Sequence, residues 1–86
     1  MDTPAAPQPE VVIYSTPTCH FCTLTKDFFA KHNVQYTNHD VATDFEKRQE
    51  MIDMTGQMGV PVIRIGNDIV IGFDKDKLVE LLKIKE

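Results

Sequence analysis

Missing from this chain is any apolar run approaching the roughly 18 residues that a membrane span requires, and its 86 residues leave no room for a second domain. One small soluble domain is expected, with no membrane partner. Positive charge is not in excess either: the formal net charge is −4, and Lys and Glu are mixed along the chain. The footprint of a nucleic-acid binder is absent, so no nucleic-acid partner is expected. The first ten residues lack the basic and then apolar regions of a secretory signal. They carry three prolines, which disfavour regular structure, and read as a flexible leader (1–10) ahead of a folded domain (11–86). Cysteine is scarce, at two residues, and His20, His32 and His39 do not supply a second ligand pair at finger spacing, so no metal site is expected. Without an export signal the default compartment is the reducing cytoplasm. A disulfide between neighbouring cysteines is there transient and catalytic rather than structural.

The chain does place those two thiols together, as Cys19-His20-Phe21-Cys22, behind the apolar run Val11 to Tyr14 and ahead of an amphipathic stretch. A thiol reacts as its thiolate, and the first turn of a helix offers unpaired N–H groups and the positive end of the macrodipole. Cys19, at the helix mouth, is therefore the expected nucleophile. Two intervening residues put Cys22 one helical turn inside, more shielded and close enough to attack a mixed disulfide on Cys19. His20 reads either as a donor to the thiolate or as an exposed polar spacer. Phe21 reads either as lining for a substrate groove or as a cap on the apolar helix face. Tyr14 reads as strand and core, with a hydroxyl able to reach the surface near the cysteines.

Elsewhere the hydrophobic period switches between two and 3.6. Val11 to Tyr14 predicts a buried strand, closed by the turn chemistry of Ser15-Thr16-Pro17-Thr18. Leu24, Phe28, Phe29 and His32 recur at helical spacing up to Asn33, with Thr25 and Lys26 on the polar side. Val34 to Val41 predicts a second strand. Thr43-Asp44-Phe45-Glu46 has the form of a capping box opening a helix to Thr55, stopped by Gly56. Met51, Met54 and Met58 read as packing. Val60 to Ile65 and Ile69 to Ile71 flank Gly66-Asn67-Asp68, the pattern of an antiparallel hairpin. Asp74 or Asp76 caps a last helix burying Leu78, Leu81 and Leu82, with Lys83 and Lys85 at its negative end. The order β-α-β-α-β-β-α, its first two strands parallel across a right-handed crossover, predicts an α/β fold with a four-stranded mixed sheet flanked by three helices.

Tyr14-Ser15-Thr16-Pro17-Thr18-Cys19-His20-Phe21-Cys22, Gly59-Val60-Pro61-Val62 and Ile71-Gly72-Phe73-Asp74 occur in the order found in the glutaredoxins, and the chain resembles that family and its thioredoxin-like fold from Val11 to about Lys83. The resemblance implies a thiol–disulfide oxidoreductase in which Cys19 attacks and Cys22 resolves. It implies a cis Pro61 that exposes the backbone of Val60 to an extended substrate segment, as in β-augmentation. With them it implies substrate contacts from Thr18, His20, Phe21, Gly72, Phe73 and Asp74. It implies a monomer with no tightly bound cofactor, acting on protein disulfides or glutathione mixed disulfides, with glutathione as a reductant.

Departures from the family's pattern bear on that reductant. Many members carry a lysine where this chain has Thr16, so a charge-assisted contact to a glutathione carboxylate is lost. Gly59 stands where Thr is frequent, Ile71 replaces a glycine, and Lys75 replaces an acidic residue. Asp74 survives where the family's helix-start aspartate meets the glutathione amino group, and Lys47 or Arg48 is left to meet a carboxylate. Gly72-Phe73 looks like the NrdH-type redoxins, relatives that take electrons from thioredoxin reductase. Both donors stay open. An iron–sulfur cluster carrier is the remaining alternative, although the carriers mostly have one cysteine where this chain has two.

Overall fold

Val11 to Ser15 forms β1, and all five residues are buried because this strand runs through the middle of the sheet with packing on both faces. The structure is a computed structural model that describes residues 9–84, so the expected leader lies outside the described residues as far as Gln8. The remaining elements are α1 (His20–Lys31), β2 (Thr37–Asp40), α2 (Phe45–Thr55), β3 (Val62–Ile65), β4 (Asp68–Ile71) and α3 (Lys75–Leu82), in the expected order. The strands lie as β2-β1-β3-β4. β1 pairs with β2 in parallel and with β3 antiparallel, and β3 pairs antiparallel with β4.

The period of two in β1 divides the interior. Val11 and Ile13 point to one face, where they join Phe28 and Phe29 of α1, Ile63, Ile65, Val70 and Leu78 of α3. Val12 and Tyr14 point to the other, with Val41, Val62 and Met51 of α2. Thus α1 and α3 cover one face and α2 the other. Fully burying a side chain such as Ile13 or Phe29 contributes roughly 1.5–3 kcal/mol.

Several boundaries differ from expectation, each for a local reason. Val34 does not begin a strand, because α1 ends in a Schellman motif. Asn33 takes a left-handed φ of 57°, its N–H meets the Ala30 carbonyl, and the N–H of Val34 meets that of Phe29 at 2.8 Å. β2 is therefore a short edge strand from Thr37. Thr25, read as polar helix surface, is completely buried, and its hydroxyl donates to the Phe21 carbonyl at 2.8 Å, which removes the penalty of burying it. The hairpin loop is the two residues Gly66-Asn67, with Gly66 at φ 60° and Asp68 already paired to Ile65. Gly56 ends α2 in the left-handed conformation, and Asp74 caps α3 as expected. Leu78 is fully buried while Leu81 and Leu82 are half-buried. Lys83 is itself the left-handed C-cap of α3, and Lys85 lies outside the described residues.

The cap of α2 is Asp44 rather than Thr43. Asp44 Oδ1 accepts the Lys47 N–H at 3.1 Å, whereas Thr43 is held in the preceding turn with its N–H and hydroxyl directed to the Asp40 carbonyl. Asp44→Ala is expected to lower stability by about 1 kcal/mol and Thr43→Ala by clearly less. Urea unfolding of the two variants checks this, and equal or reversed losses would reassign the cap.

Candidate functional site

The site gathers at one end of the sheet, where β1 and β2 finish and β3 begins. Tyr14 pairs with Val62 and Val62 with Ile71, so Pro61 falls beside the end of β1 and Gly72 lies across from it. The Gly72 N–H donates to the Pro61 carbonyl at 2.8 Å, with Gly72 at a φ of 84° that favours glycine. From the same end of β1, Thr16-Pro17-Thr18 turns the chain into α1, and the Cys19 N–H reaches the Thr16 carbonyl at 3.4 Å.

Cys19 is the N-cap of α1. Its backbone is extended (φ −87°, ψ 116°), and its Sγ accepts the backbone N–H of Cys22 at 3.1 Å, in the place where a Ser or Asp oxygen ordinarily sits. Both cysteines are free thiols. Their surroundings differ as expected: Cys19 is half-exposed, while Cys22 has no exposed surface. Burial first, and then the neighbouring Cys19 sulfur, push the Cys22 thiol up to about 12, against a backbone hydrogen bond at Thr16 and the charge of Lys26. The two sulfurs are thus unequal. One is reachable, and the other is held as a protonated thiol behind it.

The remaining candidates divide into two groups. Thr18 and His20 are exposed, Phe21 is 56% exposed, and the His20 and Phe21 rings meet edge to face at 5.5 Å, so all three surround Cys19. Val60 is half-buried ahead of β3, and the Val60-Pro61 peptide bond is cis, as the resemblance implies. Phe73 and Asp74 are committed to structure. The Phe73 ring packs on Phe28 at 5.9 Å as part of the core, and Asp74 Oδ1 accepts the Lys77 N–H at 3.2 Å. Lys47 pairs with Glu50 at 3.1 Å.

Three features of the site's surroundings escape a reading of the sequence. Gly59 leaves room for the Gln57 amide, which accepts the Gly59 N–H at 2.7 Å and donates to its carbonyl at 3.1 Å. A Cβ at residue 59 would come 2.7 Å from Gln57 Oε1. Tyr14 is the second: its hydroxyl turns away from α1 and donates to Glu50 on α2, rather than reaching the surface by the cysteines. Burial, followed by that bond, pushes the Tyr14 hydroxyl up to about 12, while the Tyr14 and Lys47 contacts hold the Glu50 carboxyl below its usual range. The parity of Tyr14 with Val12 was the available signal for the side it takes. Lys26, one turn beyond Cys22, is the third.

A half-exposed cysteine capping a helix, a buried one three residues on, and a cis proline at the same sheet end define a dithiol redox protein on a thioredoxin-like fold. The glutaredoxin family model matches residues 11–70. An uncharacterised glutaredoxin-like 8.6 kDa protein of the rubredoxin operon of Clostridium pasteurianum is 44% identical over 73 residues, 81% of this chain and 97% of that one. The glutaredoxin grx-1 of Archaeoglobus fulgidus superposes with a TM-score of 0.80 at 25% identity, over 88% of each chain. NrdH-redoxin of Escherichia coli, a glutaredoxin-like protein with a thioredoxin-like activity profile, shares the fold with a TM-score of 0.74 at 24% identity, over 84% of this chain and 93% of that one. This chain belongs to the glutaredoxin family.

The raised Cys22 and Tyr14 groups set an alkaline limit on the reduced protein. Both keep their protons in the folded state, whereas in the unfolded chain they ionise near their ordinary values of 9.0 and 10.0. Their contribution is therefore complete below about pH 9 and is lost as pH rises toward about 12. Urea midpoints of the reduced protein should hold at about pH 8 and fall from about pH 9.5 upward. Cys22→Ser should remove the earlier part of the fall, and a flat profile for the reduced wild type would contradict the assignment.

Proposed function

We propose that this chain is a glutaredoxin-like thiol–disulfide oxidoreductase of the reducing cytoplasm, acting as a monomer on protein disulfides or glutathione mixed disulfides. The observation that carries this reading is the inequality of the two sulfurs, with Cys19 reachable at the helix mouth and Cys22 sealed one turn inside. The Cys19 thiolate attacks a substrate sulfur, forming a mixed disulfide and expelling the other substrate sulfur as a thiolate. Cys22 then loses its proton and attacks Cys19, the mixed disulfide breaks, and the second substrate sulfur leaves to be protonated. Two electrons pass to the substrate and the protein ends as a Cys19–Cys22 disulfide. Thr18, His20, Phe21, Val60 and Gly72 form the contact surface, with Pro61 fully buried beneath it and Phe73 and Asp74 bordering it at the start of α3.

For the electron donor, a second reading has support of its own. Apart from Arg48, the anchors by which a glutathione carboxylate or amine would be held are altered or occupied. Thr16 replaces a lysine, Lys47 is paired with Glu50, Asp74 caps α3, and Ile71 is 55% exposed beside Gly72. These features favour reduction by thioredoxin reductase, in the manner of the NrdH-type redoxins. Rates of reduction of the oxidised protein by glutathione alone, and by thioredoxin reductase with NADPH, separate the donors. Faster reduction by glutathione would sink the second reading.

The roles themselves are tested by substitution. Cys19→Ser should abolish disulfide-reductase turnover, and Cys22→Ser should accumulate mixed disulfides with protein substrates, visible by mass spectrometry as adducts on Cys19. Full activity in Cys19→Ser would refute the assignment.

A further inference from the structure

We propose that Lys26 is a positioning residue for the closing step, its ammonium charge drawing Cys22 toward the thiolate that attacks the mixed disulfide; this rests on the dithiol reading above. Closing is the step the structure makes difficult. Cys22 has no exposed surface, burial favours its protonated form, and only the thiolate attacks. Once Cys19 is in a mixed disulfide its sulfur carries no charge, so help for Cys22 has to come from elsewhere.

Lys26 is placed to give it. It lies four residues beyond Cys22 on α1, hence on the same face one turn deeper, and it is half-buried. Its other neighbours at helical spacing are Thr23, Phe29 and Ala30, none of them a carboxylate. Asp27 is adjacent in the chain, and neighbours at i,i+1 do not face each other on a helix. The charge is therefore not neutralised within α1. It acts on Cys22 in the direction that favours ionisation.

The balance of the step is Cys22–SH plus Cys19–S–S–R giving Cys19–S–S–Cys22 plus R–SH, with the proton passing from Cys22 through solvent to the departing sulfur. Removing the cation reduces the thiolate fraction, partly offset because a more basic thiolate is the better nucleophile. A net slowing of about three- to fivefold is expected.

One equivalent of dithiobis-nitrobenzoate, an aromatic disulfide, reports both steps in a single stopped-flow trace. The first thionitrobenzoate is released by attack of Cys19 and the second by closure of Cys22. Lys26→Met should lower the ratio of the second rate to the first by about three- to fivefold, and Lys26→Gln should do the same. Lys26→Arg should restore it, and added salt should slow closure in the wild type but not in Lys26→Met. An unchanged ratio in the Met and Gln variants overturns the proposal, as does an Arg variant that behaves like Met, since the effect would then be one of shape. Failure of the dithiol reading looks different: the wild type would release no second equivalent.

Discussion

The hydrogen bond from the Cys22 N–H to Cys19 Sγ, 3.1 Å long, is the contact on which the rest of the site depends. It closes the first turn of α1 with a sulfur where an oxygen is usual, so the atom that starts the helix also belongs to the redox-active pair. Sulfur is a weak acceptor as a thiol, and hydrogen bonds to an ionised acceptor are about twice as strong as neutral ones. Helix and thiolate therefore support each other. The bond also ties the Cys19 sulfur to the backbone of Cys22, the second member of the pair. A serine at residue 19 would preserve the cap and lose the reaction, which makes the helix start and the redox function separable by substitution.

The inequality of the sulfurs comes from packing as much as from position in the helix. Phe28 and Phe29 hold α1 against the face of the sheet that Val11, Ile13, Ile63 and Ile65 present. Cys22 and Thr25 lie on the same buried side of the helix as Phe29. Cys19 sits before the first full turn, at the end of the sheet, where no element covers it completely. A helix seated on the sheet by its C-terminal half thus shields one thiol and offers the other, without any residue dedicated to the purpose.

Much of this was legible in the sequence. Regular signals carried it: the β-branched run at Val11, the Cys-x-x-Cys spacing, the glycine-bearing turn at Gly66-Asn67 and the aspartate opening α3 all act through nearby chain. What was missed depends on satisfaction of a polar group by a partner that periodicity does not identify. Thr25 looked like surface because hydroxyls are usually solvated, yet its bond to the Phe21 carbonyl lets it be buried. Val34 looked like strand, but its N–H is used in closing α1. Thr43 and Asp44 both fit a cap, and only the turn on Asp40 decides between them. The Tyr14 to Glu50 bond joins residues 36 apart in the chain, a separation at which a single sequence carries no pairing signal.

That long-range bond explains how two faces of the sheet cooperate at one end. The cysteine pair comes from α1 on one face, while Val60 and Pro61 arrive from α2 on the other. A buried hydroxyl donating to Glu50, itself paired with Lys47, ties α2 to β1 more specifically than the apolar contacts of Met51 and Val41 alone. From the end of α2, Thr55 bonds the Gln57 N–H and carbonyl, and the Gln57 amide bonds both backbone groups of Gly59. The chain from Thr55 to Gly59 is thus cross-linked by its own side chains, so Val60 enters the site along a fixed path. A disulfide exchange needs three sulfurs in line, and the protein controls only where its own two lie and where the substrate backbone can rest. α1 sets the position of its two sulfurs, and the anchored α2 with its braced loop sets the path of Val60 and Pro61, so Glu50, remote from the cysteines in the chain, helps to fix the end of the sheet where they lie.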